Sequence, residues 1–156
     1  MSKDTNIIIL SGNLAGEPEI YTFGDGQTQI RLYLAMRRMI GELKQPDIEE
    51  HRRKPNIFRV VASGPQAEID YFYLCKGAGV TVYGELRTRE YTKDGQRHAV
   101  MEIFAHSIVY GRGCNFERGD RHRAEIAERT GHEVRRVDEL PAEALEKYVR
   151  LMSHGD

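Results

Sequence analysis

Two arginines and a tyrosine alternate along one predicted strand. Arg87, Arg89 and Tyr91 are separated by single residues, and successive strand side chains point to opposite faces, so all three project from one face. The Asp94-Gly95 pair that follows is typical of a tight hairpin, because both central residues of a type I′ turn require positive φ. Guanidinium groups bind phosphates and a phenol ring offers a stacking surface, so this strand face suits a sugar-phosphate backbone and its bases.

A second group of basic side chains lies between Arg31 and Arg59. This segment holds eight Lys or Arg residues against four acidic residues. The whole chain of 156 residues has a formal net charge of −1 and a pI of about 6.6, which counts mildly against nucleic-acid binding by total charge. A basic excess confined to one segment is nevertheless what a binding groove requires. The phosphate contacts predicted here are Arg37, Arg38, Lys44, Arg52, Arg53, Lys54 and Arg59.

Alternating strands and one helix must position these side chains. Hydrophobic alternation predicts that Leu32, Leu34, Phe58 and Val60 face a core, while Arg59 shares the opposite face with Ile57. The element order predicts a mainly β, five-stranded Greek-key barrel with one helix between strands 3 and 4, the OB fold; other small α+β barrels are the alternative. The predicted strands cover residues 7–10, 20–23, 27–37, 57–63, 80–91 and 97–110, and the helix covers 66–76.

The chain is predicted to divide into an OB-fold domain over residues 1–112 and a helical C-terminal extension over 113–156. In the extension, Asp120 is predicted to cap a helix over 121–130, and a second helix is predicted to begin near Pro141. This extension either packs on its own barrel or a neighbouring subunit, or docks a partner protein. Residues 38–56 are polar and irregular, which predicts a long charged loop or hairpin arm.

Catalytic, metal and membrane signals are missing from the sequence. The six histidines show no ligand spacing, and no phosphate-binding loop or nucleophile elbow is present. Cys75 and Cys114 form no Cys-x-x-Cys motif, which favours two reduced structural thiols in a cytoplasmic protein. No apolar run approaches the roughly 18 residues that a membrane helix requires. We therefore predict no enzymatic activity, no cofactor, no metal site and no membrane association.

Several segments match one known family in order and spacing. They are residues 8–14 with Pro18-Glu19, residues 32–35, residues 58–61, residues 71–77, and residues 84–91 with Asp94-Gly95. Together they resemble bacterial-type single-stranded DNA-binding proteins over residues 6–110. The resemblance implies an OB-fold barrel that assembles as a homotetramer. It also implies sequence-tolerant binding of single-stranded DNA in replication, repair and recombination, without catalysis or cofactor.

The chain departs from that family at its aromatic stacking positions. Family members commonly carry Trp or Phe there, whereas this chain has no Trp. The matching positions are Met39 or Ile40, Ile57, Ser63 and Tyr91, of which only Tyr91 is aromatic. Stacking contributes about 1–3 kcal/mol per base, so the loss of several rings weakens binding. Tyr33, on the same strand face as Arg31, is a candidate replacement platform.

The chain also departs from the family at its C-terminus. The family's acidic tail and apolar tip are replaced by Leu151-Met152-Ser153-His154-Gly155-Asp156. Recruitment of partners through such a tip therefore cannot be carried over. The alternative function is an OB-fold scaffold that has lost most DNA binding and contacts other proteins through its C-terminal helices.

Overall fold

The computed structural model describes residues 4–37 and 54–131. Within these ranges the chain forms six strands and two helices, and the strands dominate, as the sequence predicts. The elements are β1 (Ile8–Leu14), β2 (Glu19–Thr22), β3 (Thr28–Met36), β4 (Asn56–Ser63), α1 (Pro65–Tyr73), β5 (Gly79–Lys93), β6 (Gln96–Tyr110) and α2 (Phe116–Thr130).

Five of the strands close into a ring. The sheet order is β1-β5-β6-β4-β3, and β1 returns to pair with β3 through Asn13–Ala35 and Leu14–Leu34, while β2 extends the sheet beside β3. Helix α1 connects β4 to β5. The predicted OB-fold barrel, with a helix between its third and fourth ring strands, is confirmed.

The barrel core is built from the inward side chains that alternation predicts. Ile30, Leu32 and Leu34 on β3 and Val60 on β4 are fully or almost fully buried. Phe58 is an exception, since its side chain is 36% exposed although the sequence predicts a core residue. It lies two residues before Val60, near the beginning of β4, where Asn56 and Ile57 are also exposed. The Phe58 side chain therefore points to the predicted side of β4, the side that faces the core, but burial does not extend to that end of the strand.

Strands β5 and β6 continue past the barrel as a two-stranded arm. Residues of β5 are half-buried or buried up to Glu85 and exposed from Leu86 onward. The β5–β6 turn is formed by Asp94, with φ 53°, and Gly95, with φ 75°, which confirms the predicted hairpin. The pairing of β5 with β6 is irregular between Tyr83 and Gly84, and an added Cβ at Gly84 would lie 2.1 Å from the Phe104 carbonyl oxygen.

Helix α2 packs on α1 and donates hydrogen bonds to carbonyl groups at the C-terminal end of α1. The Arg118 guanidinium donates to the carbonyl oxygens of Phe72, at 2.8 Å, and Leu74, at 2.7 Å. These are carbonyls that the end of a helix leaves without intrahelical partners. The His122 ring stacks on the Phe72 ring, with centroids 3.6 Å apart. The first turns of the C-terminal extension are therefore fitted to the barrel's own helix.

The start of α2 corrects the predicted helix boundary. The helix begins at Phe116, five residues earlier than predicted, and its cap is Asn115 rather than Asp120; the Asn115 side chain accepts a hydrogen bond from the Arg118 backbone N–H. Asp120 instead accepts a hydrogen bond from the Tyr73 hydroxyl at 2.7 Å. The predicted end at Gly131, which has φ 74°, is confirmed.

Both cysteine thiols are free. The Cys75 thiol lies 3.2 Å from the Gly113 carbonyl oxygen and the Cys114 thiol lies 3.7 Å from that of Gly79, so each donates to the backbone. Burial raises the pKa of the Cys114 thiol. These contacts lie where the chain leaves β6 for α2, and they fit the structural role predicted for both residues.

A buried carboxyl group makes the stability of the barrel depend on pH. Asp70 is 3% exposed and accepts hydrogen bonds from the Tyr110 hydroxyl and from Gln66. Burial raises its pKa to about 6, against the opposing effect of these two donors. Between about pH 4 and pH 6 the unfolded chain releases this proton before the folded chain does. The contribution of Asp70 to stability is therefore fully present below about pH 4 and is lost as the pH rises through 6.

We expect Asp70→Asn to remove this pH dependence. The asparagine side chain stays neutral and keeps an oxygen that accepts a hydrogen bond from Tyr110. In the unaltered protein, ionisation of Asp70 should lower the free energy of unfolding by at most about 3 kcal/mol between pH 4 and pH 7, the equivalent of two pKa units, and the variant should lack this decrease. Urea unfolding at several pH values measures the slope, with the exposed Asp4→Asn as the control. An unchanged slope in Asp70→Asn would assign the pH dependence to other groups.

Candidate nucleic-acid interface

Strand register places a row of polar side chains across the outer face of the barrel. Tyr33 on β3 pairs with Arg59 on β4, and Arg87 on β5 pairs with Glu102 on β6. The two pairs are in contact through Arg59 and Glu102, since the Arg59 Nε atom lies 3.4 Å from the Glu102 Oε2 atom. Three predicted site residues from three different strands therefore lie in one row, together with an acid that was not predicted.

Arg89 and Tyr91 continue this face along the β5–β6 arm. The Arg89 Nε atom lies 3.6 Å from Glu102 Oε2, and its guanidinium carbon lies 5.6 Å from the centre of the Tyr91 ring. The Tyr91 ring stacks on His98 of the paired strand, with centroids 5.1 Å apart, and remains 38% exposed. The predicted common face of Arg87, Arg89 and Tyr91 is therefore present, and Tyr91 has surface available for a further ring.

Arg87 is held between an acid and an aromatic ring. Its guanidinium lies 2.7 Å from Glu85 Oε1 and 3.7 Å above the centre of the Phe104 ring. His106 Nε2 is 3.2 Å from the same Glu85 oxygen. The hydrogen bond from Arg87 is the main cause that lowers the pKa of Glu85, so this carboxylate stays charged. Arg87 consequently presents a guanidinium whose orientation is already fixed.

A further cation–aromatic pair lies on the same side of β3. Arg31 shares its strand face with Tyr33, and its guanidinium carbon lies 4.7 Å from the centre of the Tyr21 ring on β2. The Tyr21 hydroxyl donates to Glu19 Oε2 at 2.5 Å, a bond that raises the tyrosine pKa. Tyr21 is 39% exposed and was not predicted as a site residue. The signal that could have identified Tyr21 is its position on the predicted short strand over residues 20–23.

The remaining predicted residues fall at the strand ends or outside the described ranges. Ile57, 50% exposed, lies two residues before Arg59 on the same face. Arg37 follows β3 and Lys54 precedes β4, and both side chains are exposed. Five predicted contacts lie outside the described residues and stay predictions: Arg38, Ile40, Lys44, Arg52 and Arg53.

Within residues 4–37 and 54–131, His, Cys, Asp and Glu side chains form no group of three or more suited to a metal ion. Neither helix in these ranges is long and apolar enough to cross a membrane.

The chain's sequence matches the model of the single-strand binding protein family over residues 5–110. This match covers the whole barrel, from before β1 to the end of β6. The chain belongs to this family. The predicted resemblance is thereby confirmed, and the family match ends at Tyr110, the last residue of β6.

Individual single-stranded DNA-binding proteins are similar to about two thirds or more of this chain. The chain is 36% identical over 103 residues to single-stranded DNA-binding protein 1 of Streptococcus pyogenes, covering 66% of this chain and 74% of that protein. It is 35% identical over 103 residues to single-stranded DNA-binding protein 2 of Streptococcus agalactiae, with the same coverage. A longer match, 29% identical over 138 residues, joins 85% of this chain to 76% of the single-stranded DNA-binding protein of Treponema pallidum.

Proposed function

We propose that this protein binds single-stranded DNA across the outer face of its barrel and along the β5–β6 arm. The observation that carries the proposal is the continuous row of Tyr33, Arg59 and Arg87, extended by Arg89 and Tyr91 on the arm. Membership of the single-strand binding protein family supports it. The guanidinium groups bind phosphates, and the exposed rings accept the unstacked bases of a single strand.

Binding on this face is expected to tolerate any sequence. Most of the side chains described on it are arginines, aromatic rings and acids already paired with arginines, as in the contacts of Glu85 and Glu102. A ring stacks on every base, and an arginine binds every phosphate, so neither reads a base edge. The physiological role that follows is to cover and protect single strands in replication, repair or recombination, without catalysis, in the cytoplasm.

We expect Tyr91→Ala and Tyr33→Ala each to weaken binding of oligo-dT about 5- to 150-fold, the range that loss of one stacking ring produces. Fluorescence anisotropy with a labelled oligonucleotide measures the change. Tyr91→Phe and Tyr33→Phe are matched controls that keep the ring, and their affinity should stay near that of the unaltered protein. A Tyr33→Ala variant with unaltered affinity would remove Tyr33 from the proposed site.

We also propose that the protein assembles as a homo-oligomer, with a tetramer favoured over a dimer. Exposed apolar side chains support this assembly, and they point to the same side of their strands as the core residues. Ile103 of β6 is paired with Val60 of β4 on one side and with Leu86 of β5 on the other. Phe58 lies two residues before Val60, and Met101 lies two residues before Ile103. Phe58 is 36%, Leu86 40% and Met101 68% exposed, so an apolar patch lies on the face opposite the proposed DNA contacts.

We expect Met101→Asp to shift the protein toward smaller species, because a buried interface does not tolerate an unpaired carboxylate. Light scattering after size-exclusion chromatography measures the mass in solution. Met101→Leu is the control and should keep the assembly. A monomeric unaltered protein would contradict the proposed oligomer, and an unchanged mass for Met101→Asp would place the interface elsewhere.

A scaffold role through the C-terminal helices is the second candidate. The pairing of Arg59, Arg87 and Arg89 with acids favours it, since each contact reduces the positive charge offered to DNA. Deletion of residues 132–156 separates the two functions, because it leaves α2 docked on α1. A DNA-binding protein keeps its oligonucleotide affinity after this deletion, whereas a scaffold loses its partner protein and shows no salt-sensitive DNA binding with or without these residues.

A further inference from the structure

Glu102 is the acid around which the basic face is organised. Its side chain is 10% exposed, and its Oε2 atom lies 3.4 Å from Arg59 Nε and 3.6 Å from Arg89 Nε. In the strand register it is paired with a third cation, Arg87. One nearly buried carboxylate is therefore surrounded by arginines from two neighbouring strands, and it lies where phosphates are proposed to bind.

The contact between Glu102 and Arg59 is electrostatic rather than a formed hydrogen bond. Arg59 Nε and Glu102 Oε2 are both buried, and neither makes a hydrogen bond of good geometry within the described residues. The side chains of Arg59 and Arg89 are 24% and 42% exposed, so both guanidinium groups stay accessible from outside. A phosphate can therefore approach these arginines, but it must do so against the field of the carboxylate beneath them.

We propose that Glu102 is a specificity-determining residue of this face, an inference that rests on the proposed function. Its charge offsets part of the arginine charge and weakens every phosphate contact, so charge alone does not retain a polynucleotide. Ligands that also stack bases on Tyr91 and Tyr33 are retained, which selects single strands. A duplex has the higher charge density but keeps its bases stacked inside, so the carboxylate penalises a duplex most.

Glu85 acts in the same direction on Arg87. It lies 2.7 Å from that guanidinium and is itself 27% exposed, so its effect is screened more by solvent than that of Glu102. Glu85→Gln should therefore change binding in the same direction as Glu102→Gln and by a smaller factor. This second variant also keeps the proposal testable if Glu102→Gln fails to fold.

The test compares Glu102→Gln with the unaltered protein on oligo-dT and on a duplex of equal length, at several salt concentrations. Glutamine keeps the shape and a hydrogen-bond acceptor but removes the charge. We expect tighter binding of the single strand by about 3- to 50-fold, as for one unit charge about 7 Å from a phosphate at effective dielectric constants of about 80 and 20, and a larger gain for the duplex. The log–log salt slope should steepen by about 0.7, which loss of a merely structural contact would not cause.

The matched control is Glu117→Gln, which removes the same charge from α2. Glu117 is 86% exposed and pairs with Arg121 at 3.1 Å, so its removal should leave both affinities and slopes unchanged. Unchanged or weaker binding by Glu102→Gln with an unchanged slope would overturn the proposal. That failure is distinct from failure of the proposed function, in which the unaltered protein itself does not bind the single strand.

Discussion

Replacing both Arg87 and Arg89 with alanine should weaken binding of single-stranded DNA by at least about 150-fold. Each substitution removes a charge-assisted contact worth about 1.5–3 kcal/mol. The double substitution also leaves Glu85 without its arginine and Glu102 with only Arg59 among its described ion pairs, so the face loses two positive charges while keeping both carboxylates. The log–log salt slope should fall by about 1.4, the amount for two phosphates.

The control for this double variant is Arg121→Ala combined with Arg129→Ala. Both residues are exposed on α2, and their removal changes the net charge of the protein by the same amount. Anisotropy titrations at three salt concentrations give affinity and slope for both double variants. Equal losses in the two variants would mean that DNA responds to total charge, and the proposed face would then have no special role.

Gly119→Ala should destabilise the protein by about 2–4 kcal/mol, because it drives α2 away from α1. An ideal Cβ at Gly119 would lie 2.2–2.4 Å from three atoms of the Tyr73 ring, and Tyr73 is fully buried. A side chain without room to move turns such a contact into overpacking, which costs about 1–3 kcal/mol. Weaker Arg118 contacts to the α1 carbonyls add to the loss.

Thermal unfolding by circular dichroism measures this loss, with an expected fall in Tm of about 10 °C for a chain of this length. Gly16→Ala is the matched control, because no atom lies within 4 Å of the position that its added methyl group would take, and its φ lies outside the left-handed region. Equal Tm values for the two variants would show that α2 accommodates the methyl group without leaving α1. Oligonucleotide binding by folded Gly119→Ala should persist, since the DNA contacts lie on β3 to β6.

Short-range rules identified the barrel and the strand that carries the arginines. Alternation along β5 places Arg87, Arg89 and Tyr91 together, and Asp94-Gly95 fixes the turn, because both features depend on neighbours in sequence. Residues 30–34 alternate into the core for the same reason. Phe58 was misplaced because alternation gives the direction of a side chain, whereas burial depends on how far the barrel extends along β4.

The acids and rings that complete the face depend on pairing between distant strands. Glu102 meets Arg59 only through the parallel contact of β6 with β4, which joins segments about 40 residues apart. Phe104 lies under Arg87 because it follows Glu102, the residue paired with Arg87 on the neighbouring strand, by two positions. No spacing within one segment shows such contacts. The early start of α2 was also missed, although its cap, Asn115, is a helix-start signal that the sequence itself carries.

Single-stranded DNA binding is measured by fluorescence anisotropy of a labelled oligo-dT of about 40 nucleotides, titrated with the full-length protein at low and moderate salt beside a duplex of equal length. We expect tight binding of the single strand and much weaker binding of the duplex. The logarithm of the affinity should fall by about 0.7 per phosphate bound for each tenfold rise in salt. Equal affinity for both, or no binding at low salt, would contradict single-stranded DNA binding by this face.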